Sequence, residues 1–103
     1  MYRGTTPTLT FTLPFEVEQI SKISLVFFQS HKLVFEKTKE DFTFEGNNLI
    51  LKLTEKETLQ FNASSNPVEM QFRVLVNGDV IASKIMKVEV KRILCEEVLS
   101  DDV

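Results

Sequence analysis

From Pro67 onward the chain alternates with a period of two. Val68, Met70, Phe72, Val74 and Val76 share one phase, and Glu69, Gln71, Arg73 and Leu75 share the other. Asn77-Gly78 follows, and a second β-rich run begins at Val80. Alternation broken by Asn-Gly is the strongest short-range signal of a β-hairpin. It predicts a sheet with one buried and one solvated face.

The same period recurs upstream. Leu9, Phe11 and Leu13 alternate with Thr8, Thr10 and Thr12, and Pro14 ends that strand. Phe15 to Ser21 has no period and reads as a crossing segment pinned by Val17 and Ile20. Lys22 to Gln29 predicts a second strand, with Ile23, Leu25 and Phe27 on one face and Val26 and Phe28 on the other. Apolar residues on both faces suggest a central strand, or one whose outer face meets something. Ser30-His31-Lys32 reads as a tight turn into Leu33, Val34 and Phe35. The charged tract Glu36 to Glu40 reads as a solvated loop or sheet edge.

Phe42 and Phe44 alternate with Thr43. Gly46-Asn47-Asn48 then turns into Leu49, Leu51 and Leu53, with Ile50 and Lys52 opposite. Thr54-Glu55-Lys56-Glu57 is a capping box, in which the Thr hydroxyl and the Glu carboxylate each satisfy a free backbone amide. It predicts a helical turn over Glu55 to Phe61, anchored by Leu59 and Phe61, before a polar loop from Asn62 to Asn66. In the last run, Ala82, Met86, Val88 and Val90 take the inward phase. Lys84 shares that phase, so a bulge or sheet-edge position is expected there. Lys91 to Leu94 could prolong the strand.

Six or seven short strands with one helical turn predict an all-β fold, an antiparallel two-sheet β-sandwich. The capped turn before the penultimate strand makes the expected topology immunoglobulin-like, although the Cys pair and core Trp of immunoglobulins are missing. A partly open five-stranded barrel is the alternative. Residues 1–94 are expected to form one domain, and residues 95–103 an acidic, flexible tail.

Composition adds limits. A chain of 103 residues suffices for a core without disulfides or metals. Nine Phe residues and no Trp make that core largely phenylalanine and aliphatic. A net charge of -3 argues against nucleic acid or an anionic membrane as the main partner. Cys95 is the single cysteine, which fits synthesis in a reducing cytosol. No signal peptide and no apolar run of membrane-spanning length is visible.

No catalytic, metal or nucleotide motif stands out. His31, the one histidine, falls in a turn beside Lys32, with no partner to make it a base. Cys95 precedes Glu96-Glu97, and carboxylates raise a thiol pKa rather than activate it. One His and one Cys cannot build a zinc site. Asn77-Gly78-Asp79 shares residue types with calcium loops but lacks their spacing. Lys84, Lys87, Lys91 and Arg92 make a basic run, interrupted by Glu89. The expectation is therefore a non-enzyme with no cofactor and no metal. Val26, Phe28, Ile50 and Leu75 are apolar on outward phases and form the candidate interaction surface. The competing reading makes them a second layer of core.

Three segments carry a resemblance. They are Arg3-Gly4-Thr5-Thr6-Pro7-Thr8-Leu9-Thr10-Phe11-Thr12-Leu13-Pro14, then Leu51 to Leu59, and the strand pair around Gln71, Arg73, Asn77-Gly78 and Ala82-Ser83. Together they resemble small structural proteins of the tail and baseplate modules of phages and prophages of Gram-positive bacteria. The resemblance implies an immunoglobulin-like or baseplate-type sandwich acting as a structural or accessory virion protein. The resemblance also implies synthesis in the bacterial cytoplasm and contact with other tail proteins or further copies of the chain. The rival class is a small ligand-binding module for carbohydrate or single-stranded nucleic acid.

Overall fold

The computed structural model describes residues 1–63, 66–94 and 97–99. Cys95 and most of the expected acidic tail lie outside the described residues, as do Ser64 and Ser65 of the polar loop. The described chain is mostly β, with two antiparallel sheets and one short helix.

Eight strands form. They are β1 (Thr8–Thr12), β2 (Ile20–Gln29), β3 (Lys32–Thr38), β4 (Thr43–Glu45), β5 (Asn48–Lys52), β6 (Val68–Val76), β7 (Asp79–Ala82) and β8 (Met86–Val88). The helix α1 (Glu55–Thr58) links β5 to β6. One sheet has three strands in the order β1-β5-β4. The other has five, in the order β3-β2-β6-β7, with β8 also paired to β6.

The core forms where the inward phases of both sheets meet. Ile23, Leu25 and Phe27 of β2 and Val68, Met70, Phe72, Val74 and Val76 of β6 supply one wall. Leu49 and Leu51 of β5 supply the other, and Leu53, Phe61 and Val90 are buried with them. Phe72 ties the sheets together. Its ring lies 4.6 Å from Phe11 in an edge-to-face contact and 6.0 Å from Phe42. Such pairs contribute about 0.5–1.5 kcal/mol beyond burial. A second cluster joins Phe27, Phe35 and Phe61 with centroids 4.6 to 6.0 Å apart. The crossing segment is held as its sequence predicts, with Val17 and Ile20 buried.

The capping box closes as expected. The Glu57 amide donates to Thr54 Oγ1 at 3.1 Å, and the Thr54 amide donates to Glu57 Oε1 at 2.8 Å. The helix is shorter than its sequence suggests and ends at Thr58. The chain just past it is held by an unforeseen partner, because Arg3 donates to the carbonyls of Leu59 and Phe61. Thr58 is buried and fixes the same segment, its hydroxyl accepting from the Thr5 amide at 3.0 Å. Gly4 lies between these anchors at φ +68°, where an added Cβ would meet Ile93 Cδ1 at 2.7 Å.

The last run keeps Met86, Val88 and Val90 against the core and is irregular at Lys84, as expected, but departs from its prediction at Ala82. It is broken into β7 and β8 at Ser83 to Ile85, and every residue of β7 is exposed, Ala82 included. Ala82 is therefore not a core residue: β7 reaches past the facing sheet as an edge strand. The break falls where Lys84 takes the inward phase, and it leaves Lys84 exposed. Beyond β8, the described residues form one isolated parallel bridge, between Lys91 and Tyr2.

Three substitutions check this fold by thermal or denaturant melts. Thr54→Ala removes a cap and should cost about 0.5–2 kcal/mol. Gly4→Ala meets both a left-handed backbone and a close side chain, and should cost on the order of 1–3 kcal/mol. Gly78→Val should cost a similar amount, about 1–3 kcal/mol. There a Cβ meets nothing within 4 Å, so the penalty is purely conformational at φ +86°.

Candidate functional site

The β2–β6 ladder decides which side chains share the outer face. Lys22 opposes Leu75, Ser24 opposes Arg73, Val26 opposes Gln71 and Phe28 opposes Glu69. On the other flank Phe28 opposes Leu33 and Val26 opposes Glu36. Phe28, Leu33 and Val26 thus lie side by side, with the polar row of Ser24 and Arg73 next along the face. The Ser24 hydroxyl donates to the Glu36 carboxylate and closes that row.

The broken edge completes the apolar cluster. Ser83 holds β6 at the break, exchanging backbone bonds with Phe72: its amide donates to the Phe72 carbonyl and its hydroxyl accepts from the Phe72 amide, both at 3.0 Å. The Gln71 side-chain amide donates to the Ser83 carbonyl at 2.9 Å. Ile85 emerges just beyond this clamp and faces Val26 and Phe28 across a shallow, open groove of about 260 Å³. His31, Glu69, Met70 and Gln71 line the rest of it. Leu33 is 57% exposed and Ile85 53%.

Of the four residues expected from outward phases, the structure brings Val26 and Phe28 together. Leu75 lies on the same face, beyond the Ser24–Arg73 row and beside exposed Val80. Ile50 lies on the other sheet, in register with Thr10 and Thr43. All four are half-buried and none belongs to the core cluster. Ile85, which lines the groove, and Leu33, beside it opposite Phe28, are the apolar residues that phase reasoning missed. The signal for Ile85 was the phase break at Lys84, because a strand that slips there must re-aim the next side chain.

His31 reaches the groove from a strained turn. Ser30 and His31 have φ of 54° and 64°, so the two-residue β2–β3 turn takes left-handed conformations without glycine. Hairpin turns of this kind favour Asn-Gly because the backbone requires positive φ at both positions. Two neighbours hold this end. Asn66 donates to Ser30 Oγ at 3.0 Å. Buried Gln29 donates to the carbonyls of Asn62 and Asn66 and accepts from the Asn62 amide at 2.7 Å.

Among the described residues no group of three or more His, Cys, Asp or Glu side chains gathers as a metal site. No helix among them is long and apolar enough to cross a membrane. Of the basic run, Lys84, Lys87, Lys91 and Arg92 are all exposed, with Lys87 opposite Glu69 and the Lys91 ammonium 5.5 Å from the Tyr2 ring. Comparison with protein-family models, with curated proteins and with solved structures finds no match in any of the three.

The strained turn gives a test. His31→Gly should stabilise the fold by about 0.5–1 kcal/mol, because a left-handed L-residue costs more than glycine's extra entropy. A melt measures this directly. A lower melting temperature would mean that the imidazole makes contacts worth more than the strain.

Proposed function

We propose that this chain is a non-enzymatic contact protein with an immunoglobulin-like β-sandwich fold, and that it docks a partner protein through the outer face of the five-stranded sheet. The observation that carries the docking reading is the groove bounded by Val26, Phe28 and Ile85, with Leu33 beside it on the strand next to Phe28. Apolar side chains clustered on a solvated sheet face are the usual mark of an interaction surface. Polar side chains at Glu69 and Gln71 give it the rim that such surfaces carry.

The topology supports the immunoglobulin-like part. Reading β1 to β6 as strands B, C, C′, D, E and F, and β7 with β8 as G, gives sheets B-E-D and C′-C-F-G. Those are the neighbours of a variable-type immunoglobulin domain without a strand A beside B. The parallel bridge of Tyr2 to Lys91 sets the N-terminal segment against the chain that follows β8 instead. The resemblance to tail and baseplate modules supports a partner in the virion of a phage or prophage of Gram-positive bacteria.

The test is co-expression with the products of the neighbouring genes, tail or baseplate proteins being the expected partners, followed by affinity purification and calorimetry. Wild type should co-purify with one of them. Leu33→Glu and Ile85→Glu change exposed side chains, so each should move stability by no more than about 0.5 kcal/mol. Each should also weaken binding at least about tenfold. Phe28 is the poorer probe: it is half-buried, and a carboxylate there should cost about 1–2 kcal/mol. Equal binding by wild type and both variants would remove the groove from the interface. Binding of an oligosaccharide or single-stranded DNA, abolished by the same variants, would move the chain to the rival class.

A further inference from the structure

The two sheets have four edges, and three are protected against pairing with another chain. β3 carries Lys32, Glu36 and Lys37, and its ladder with β2 is bulged between Phe27 and Phe28. The β7–β8 edge is broken at Ser83 to Ile85 and exposes Lys84 and Lys87. β4 is only three residues long and ends in Glu45. Charge, bulges, breaks and shortness are the devices that stop edge strands from pairing.

The fourth edge, β1, has none of them. Thr8-Leu9-Thr10-Phe11-Thr12 contains no charge, no proline and no bulge, and its five residues pair one for one with β5. Among the described residues no other strand pairs with β1.

The register also shows which backbone groups are free. The Leu13 amide donates to the Asn47 carbonyl, and the Leu53 amide donates to the Pro7 carbonyl. In an antiparallel ladder alternate residues point their N–H and C=O groups to opposite sides. Odd-numbered residues of β1 therefore face β5. The N–H and C=O groups of Thr8, Thr10 and Thr12 point to the open edge.

We infer that a second copy of this chain pairs with this edge, β1 against β1 in antiparallel fashion, about a two-fold axis at Thr10. The sequence is self-complementary in that arrangement. Thr10 meets Thr10 of the other copy and Thr8 meets its Thr12, each as a hydrogen-bonded pair of outward-pointing backbone groups. Leu9 meets Phe11 of the other copy on the inner face, where both are half-buried in the single chain. Threonine meets threonine on the outer face, a favourable cross-strand pair, and no like charges oppose one another. The two three-stranded sheets become one continuous sheet, β4-β5-β1-β1-β5-β4. An isologous contact of this kind closes on itself and leaves β1 with no free edge.

Sedimentation across a concentration series and amide hydrogen exchange test this together. Wild type should dimerise as concentration rises. The Thr8, Thr10 and Thr12 amides should exchange fast when dilute and slowly in the dimer. Thr10→Lys places like charges opposite each other at the axis while altering only an exposed side chain, so it should give a monomer with an unchanged melt. Thr10→Val keeps the β-branched shape and should still dimerise. A wild type that stays monomeric overturns the inference. So does a dimer in which those three amides remain unprotected, or one that survives Thr10→Lys. Leu33→Glu and Ile85→Glu should leave this dimer intact, which separates failure here from failure of the docking face.

Discussion

The pairing of β2 with β6 is the constraint from which the rest follows. It runs from Ile20 opposite Val76 to Phe28 opposite Glu69 and forms the centre of the five-stranded sheet. β2 cannot choose its own face, because Ile23, Leu25 and Phe27 on one phase are matched by Val26 and Phe28 on the other. β6 makes the choice. A slip of one residue would turn Glu69, Gln71 and Arg73 into the core and carry Val68 to Val76 into solvent. Burying unpaired charges costs several kcal/mol each, whereas exchanging the two apolar phases of β2 costs little. The polar phase of β6 thus assigns Val26 and Phe28 to the outer face and builds the groove.

The strands were legible because each depends on a local period. The β6–β7 turn, the inward phases of β1, β2, β5 and β6, and the capping box of α1 all follow from spacings of a few residues. What stayed hidden depends on partners far apart in sequence. Gln29 reads as a polar strand end, yet it is buried because the loop at Asn62 and Asn66 needs its amide. Arg3 reads as part of a turn-prone lead-in, yet it binds the carbonyls of Leu59 and Phe61 in the segment that follows α1. Nothing in a period of two or 3.6 marks a side chain that will serve a distant backbone.

The site was legible to the same depth. Phase reasoning identifies which side of a strand is outward but not which sheet the strand joins. Ile50 and Val26 share an outward phase and end on different sheets, while Leu75 shares a sheet with Val26 but lies past the Ser24–Arg73 row. Ile85 was obscured because the bulge or edge position expected at Lys84 does not by itself say which way the next side chain turns. The ladder stops pairing at Arg73 with Ala82 and resumes at Met70 with Met86. The intervening residues are three on one strand and two on the other. That surplus residue is what turns Lys84 to solvent and Ile85 toward the groove.

The proposed docking face and the proposed dimer edge belong to different sheets, and this has a geometric consequence. β1 lies in the three-stranded sheet, and the groove opens on the outer face of the five-stranded one. Pairing through β1 therefore leaves both grooves uncovered and relates them by the two-fold axis. A partner that presents the same site twice meets the second groove as an intramolecular step, so its avidity can exceed the affinity of either contact by orders of magnitude when the spacing fits. The individual groove is shallow, and a weak contact is all that it needs to supply. Symmetric repetition would then provide the retention. The unprotected threonine edge and the half-open apolar groove would on this account be two parts of one binding design.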